Sequence, residues 1–97
     1  MKIRFTPRAT QDLVDIADYI SKRSPKASLH VRAAILDSLQ TLTLFPEAGR
    51  SQKMPSVRKL VTRKYSYLVY YRIDAASNEA IIVTIQHPAR DRPYEDG

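Results

Sequence analysis

Tyr65-Ser66-Tyr67-Leu68-Val69-Tyr70-Tyr71-Arg72-Ile73-Asp74, then Ala75-Ala76-Ser77-Asn78, then Ala80-Ile81-Ile82-Val83-Thr84-Ile85-Gln86, reads as two strands joined by a short turn. Aromatic and β-branched residues fit a pleated, half-buried surface, and they dominate both runs. Side chains alternate along a strand. Tyr65, Tyr67, Val69, Tyr71 and Ile73 therefore share one face, and Leu68, Tyr70 and Arg72 the other. The second run is nearly all β-formers, as a central strand requires.

Before these strands, Val57 to Thr62 is a further strand, and Glu47 to Pro55, with Gly49, is a loop. At the start of the chain Ile3 and Phe5 alternate with Lys2 and Arg4, the period of a half-buried strand. Thr6-Pro7 and Ser24-Pro25 each pair an N-cap residue with a proline at the first helical position. Ala9, Leu13, Ile16, Ala17 and Ile20 make one apolar helical stripe; Ala27, Val31, Ala34, Ile35, Leu39 and Leu42 make a second. Pro46 stops the second helix, because a residue preceding proline resists the helical conformation. The order is β-α-α-β-β-β. That is an α+β fold in which a helical hairpin covers one face of a mainly antiparallel sheet. The opposite face is expected to be at least partly open, with Tyr70 and Arg72 on it.

The chain has 97 residues, the length of one domain with one core, spanning 1–97. Its net charge is +6 and unevenly spread. Between Ala48 and Ile73 stand Arg50, Lys53, Arg58, Lys59, Arg63, Lys64 and Arg72 without a single acid. Such a run suits nucleic acid, an acidic protein or an acidic membrane surface; a merely solvated basic face explains it as well. There is no cysteine, so disulfides, thiol nucleophiles and Cys-ligated metals are excluded. No signal peptide or apolar span of roughly 20 residues is present, so a cytoplasmic protein with no membrane partner is expected.

No strong catalytic motif, metal site or cofactor site is expected. Two histidines are too few for a His-built zinc site, and His30 reads as a surface residue. His87 follows the central strand, three residues before Arg90. A histidine can serve as general base and an arginine can stabilise developing phosphorane charge. With Arg63 or Arg58, and with Tyr94, that pair has the makings of an RNA-cleaving site. The preferred, plainer reading is that His87 closes the strand end with a local hydrogen bond. Arg58, Lys59, Arg63, Lys64 and Arg72 are candidate contacts for phosphates or carboxylates, since a guanidinium fork bonds both oxygens together. Tyr70 among them can stack on bases. Tyr67 and Tyr71 are assigned to the core.

Phe5-Thr6-Pro7-Arg8-Ala9 with Asp12-Leu13, Ile16-Ala17-Asp18-Tyr19-Ile20, Phe45-Pro46, Gly49-Arg50, Val57-Arg58-Lys59-Leu60, Tyr67 to Ile73 and Ile85-Gln86-His87-Pro88-Ala89-Arg90 occur in a telling order. Together they resemble the RelE/ParE superfamily of type II toxin–antitoxin toxins, and its ParE side most closely. The resemblance implies the fold above and a ParD-like antitoxin, assembled with the toxin as a heterotetramer or larger. It also implies DNA gyrase as target, with no catalysis by the toxin itself. The alternative within the superfamily is a RelE-like ribosome-dependent mRNA endoribonuclease, for which His87, Arg90, Arg63 and Tyr94 are the catalytic candidates. Target or antitoxin contacts fall to Arg58, Lys59, Arg63, Arg72, Tyr70 and Arg90. A non-toxic basic binding module is the third reading.

Overall fold

A computed structural model describes residues 1–90 of the chain. Strand β1 (Lys2–Phe5) leads into helix α1 (Pro7–Ser21) and helix α2 (Pro25–Leu44). Strands β2 (Arg50–Ser51), β3 (Val57–Val61), β4 (Leu68–Asp74) and β5 (Glu79–Gln86) follow, then a 3-10 turn over Pro88–Arg90. The sheet order is β1-β5-β4-β3-β2. Strand β1 pairs in parallel against β5; the other pairings among the described residues are antiparallel. Among these residues no helix is long and apolar enough to cross a membrane.

Both helices start where their capping residues place them. Thr6 Oγ1 accepts the Ala9 N–H at 3.1 Å, and Ser24 Oγ accepts the Ala27 N–H at 3.1 Å. Each cap satisfies one donor that the first turn leaves without a partner, a contribution of about 1 kcal/mol. Thr6 also joins helix to sheet. Its hydroxyl lies 2.9 Å from the Ile82 carbonyl, and its N–H bonds the same oxygen at 3.1 Å, extending the β1–β5 ladder. The Ser28 hydroxyl donates to the Ala17 carbonyl and ties the helices together.

The apolar helical stripes meet one face of the sheet. Ala9, Val31, Ile35, Leu39 and Leu42 are buried with Tyr67, Val69, Tyr71, Ala80, Ile82 and Ile85. Leu13, Ile16, Ile20 and Ile73 pack at the margin. Each fully buried large side chain contributes roughly 1.5–3 kcal/mol of transfer free energy, so this layer holds the fold together. The alternation expected of β4 holds: Val57, Leu68 and Tyr70 form a second, smaller buried cluster.

Three details depart from the sequence expectation. The two-residue edge strand β2 lies inside the expected 47–55 loop, and a strand that short carries no periodic signal. Strand β4 begins at Leu68 rather than Tyr65. Tyr65 and Ser66 have φ of 67° and 52°, left-handed values that end any extended run. Non-glycine residues pay about 1–2 kcal/mol each for that conformation. Thr62 imposes it: its N–H bonds the Tyr67 carbonyl at 2.9 Å, and its hydroxyl accepts the Tyr67 N–H and donates to the Lys64 carbonyl. Third, β4 and β5 slip by one residue at a bulge between Tyr70 and Tyr71. At that slip, Asp12 of α1 accepts from the Thr84 hydroxyl at 2.5 Å and from the Ile85 N–H at 3.0 Å.

Candidate functional site

Sheet register divides the basic residues into three groups. Val61 pairs with Leu68, and Leu68 with Gln86. The β3–β4 turn and the residues after β5 therefore share one end of the sheet. Arg63, Lys64, His87 and the 3-10 turn ending at Arg90 all lie there. Arg72 pairs with Val57 and Ile81 toward the other end, exposed on the face away from the helices. Lys59 pairs with Tyr70, placing it on that same face, half-buried. Tyr94 lies outside the described residues.

Arg58 belongs to neither group. Its Nη1 donates to the Gly49 carbonyl at 2.7 Å and to the Glu47 carbonyl at 3.3 Å. Beside it, the Tyr71 hydroxyl accepts the Gly49 N–H at 2.8 Å and donates to the Pro46 carbonyl at 2.7 Å. The two side chains clasp the loop that leaves α2 and aim it at β2. Gly49 is required there by close approach: a Cβ would sit 2.6 Å from Tyr71 Cε1 and 2.7 Å from its hydroxyl. Burial pushes the Tyr71 phenol above the ordinary tyrosine range, so it stays protonated and able to donate. The arginine expected to meet a partner is thus engaged within the chain. Tyr70 is fully buried, 0 % exposed, which withdraws its ring from any stacking surface in this state.

His87 is exposed, and its Nδ1 accepts the Ala89 N–H at 3.0 Å. That bond puts the proton of the neutral ring on Nε2, so the free nitrogen donates. The imidazole also meets Tyr67 edge-on, with ring centroids 5.3 Å apart and planes at 85°. Such a contact is worth about 0.5–1.5 kcal/mol. Burial, and secondarily the neighbouring Tyr19, pushes the Tyr67 phenol up, so Tyr67 presents a neutral ring. The local hydrogen bond expected of His87 is present.

The turn carrying Arg63 and Lys64 is anchored to α2, because Ser38 Oγ accepts the Arg63 N–H at 3.2 Å. Between them runs an open groove of about 820 Å³, lined by His30, Asp37 and Ser38 on one side and Arg63, Lys64 and Tyr65 on the other. The sequence marks Arg63 and Lys64 as candidates but not their alignment with His30 and Asp37. That alignment depends on how α2 crosses the sheet, which no local pattern encodes. The Gly49–Tyr71 clasp has one legible signal, since Gly49 is one of only two glycines in the chain. Among the described residues no three His, Asp or Glu side chains converge as metal ligands do.

Comparison with known proteins adds three findings. Residues 3–92 match the family described as the ParE toxin of the type II toxin–antitoxin system parDE. Among curated proteins, Y4kP of Sinorhizobium fredii is 35% identical over 92 residues, covering 95% of this chain and 93% of the relative. Toxin RelE2 of Caulobacter vibrioides is 33% identical over 89 residues, covering 92% and 97%. Among solved structures, a chain of the chromosomal ParDE system from P. aeruginosa superposes with a TM-score of 0.76 at 26% identity, over 90% of this chain and 95% of that one. The intact RelBE complex of E. coli gives 0.66 at 17% identity, over 88% and 93%, a likeness of fold.

Proposed function

This chain belongs to the ParE toxin family of type II toxin–antitoxin systems, and on that basis we propose that it arrests growth by inhibiting DNA gyrase in the cytoplasm until a ParD-like antitoxin binds it. The observation that carries the choice of a gyrase poison over a nuclease is the His87 geometry. A general base must offer a lone pair to the proton it takes. In this structure His87 Nδ1 accepts the Ala89 N–H, so its lone pair serves the strand-end contact rather than a substrate proton. One observation favours the RelE-like reading instead: Arg63, His87 and Arg90 gather at one end of the sheet.

Two features support the antitoxin. Val14, Tyr19 and Leu29 are exposed apolar residues of the helical hairpin, the kind of surface an amphipathic segment covers as it folds on binding. The acid-free run from Ala48 to Ile73 suits a carboxylate-bearing tail. A heterotetramer or larger assembly follows if the antitoxin dimerises.

The test is expression of the chain alone, followed by gyrase supercoiling and message-cleavage assays on translating ribosomes. Supercoiling is expected to fail while messages stay intact, and His87→Ala is expected to leave the inhibition in place. Message cleavage that disappears in His87→Ala or Arg90→Ala would overturn the gyrase reading. Unimpaired growth under verified expression of folded protein would identify a non-toxic binding module.

A further inference from the structure

We infer that the Arg63-Lys64-Tyr65 turn and the groove beside it hold a short unpaired stretch of DNA. The turn is built to present its side chains. Its order comes from Thr62, Ser38 and backbone groups, and the side chains of Arg63, Lys64 and Tyr65 take no part in those bonds. All three residues are exposed, and Tyr65 keeps 49 % of its surface in solvent. Tyr65 and the following Ser66 hold left-handed φ without being glycine, and strain of that kind clusters at ligand clamps.

The chemistry matches a nucleic-acid strand. Two adjacent cations meet phosphates, and an exposed phenol ring offers a stacking platform that a paired base cannot use. Across the groove, Asp37 can accept from base N–H groups, as carboxylates do from the cytosine amine, and His30 adds a second ring. The choice of DNA over RNA rests on the gyrase reading. The binding test uses the purified full chain without gyrase, so failure of either idea is seen separately.

Fluorescein-labelled oligothymidylate is titrated by anisotropy over a series of salt concentrations. Arg63→Ala with Lys64→Ala is expected to weaken binding and to flatten the log–log salt dependence by about 1.4, at roughly 0.7 for each single-strand phosphate that is no longer neutralised. Tyr65→Gly removes the ring and relieves the left-handed strain. It is expected to keep or raise the melting temperature, lose about 5- to 150-fold in affinity and leave the salt slope unchanged. Tyr65→Phe, which keeps a stacking ring, is expected to retain affinity. The inference is overturned if Lys22→Ala with Arg23→Ala, an equal loss of charge outside the groove lining, weakens binding as much. It is equally overturned if duplex DNA or polyglutamate binds through these same residues as tightly, or if oligouridylate binds tighter than oligothymidylate.

Discussion

Replacing Tyr71 with phenylalanine isolates the clasp that positions the loop after α2. The hydroxyl makes two hydrogen bonds in a fully buried setting, accepting from Gly49 and donating to Pro46. Phenylalanine keeps the ring and its packing but leaves the Gly49 N–H without a partner. An orphaned buried donor costs about 1–3 kcal/mol, and the second bond adds roughly 1 kcal/mol. A destabilisation of about 2–4 kcal/mol is therefore expected. In a domain of this size, 1 kcal/mol moves the melting temperature by roughly 4–8 °C, so the shift is on the order of 10–30 °C. Gly49→Ala attacks the same contact sterically, through a Cβ that meets both Tyr71 Cε1 and its hydroxyl, at about 1–3 kcal/mol. One of those two clashes disappears in the double variant. Gly49→Ala should thus cost less in the Tyr71→Phe background, and the cycle should show coupling of at least about 0.5 kcal/mol. Thermal and denaturant unfolding of all four proteins measures this. Strict additivity, or a Tyr71→Phe shift of only a degree or two, would show that the clasp is not what holds the loop.

Asp12→Ala removes the acceptor of the Ile85 N–H and Thr84 hydroxyl, for an expected loss of about 1–3 kcal/mol in denaturant unfolding. Asp12→Asn should recover much of it, because both bonds go to one oxygen. Thr6→Ala removes the α1 cap and the hydroxyl's bond to β5 while keeping the backbone bond, and about 1–2 kcal/mol should be lost, with faster amide exchange in α1. Hydrogen bonding to the Ser77 backbone, foremost, holds the Asp74 carboxyl below its ordinary range. Its contribution is therefore present above the unfolded value of about 4 and lost as pH falls through the lowered value. Asp74→Asn should flatten the acid limb of a stability-versus-pH series; an unchanged limb refutes the assignment. Burial raises Tyr67 and Tyr71, so the stability they contribute is intact below about pH 10 and falls as pH rises through the higher folded values. Tyr71→Phe should make the alkaline limb shallower.

Local chemistry made the helices and the inner strands legible. Thr6-Pro7 and Ser24-Pro25 act through hydrogen bonds three residues away, and the alternation in β4 acts through the pleat, so both can be read along the chain. The core tyrosines followed from the same alternation: Tyr67 and Tyr71 face the helices. The site was legible only as an inventory of cations. Arg58 and Arg63 look alike in sequence, yet one is turned inward onto the Gly49 and Glu47 carbonyls and the other stands exposed on a turn.

The β-α-α-β-β-β order and the resemblance to ParE toxins were set in the sequence, because capping, periodicity and motif spacing are properties of neighbours along the chain. Which basic residues face outward, and which stand together, was settled by the folded arrangement alone. Those outcomes depend on register between distant strands, on the crossing of α2 over the sheet and on two left-handed residues after Lys64. Contacts between residues tens of positions apart set them, and no local pattern carries that information.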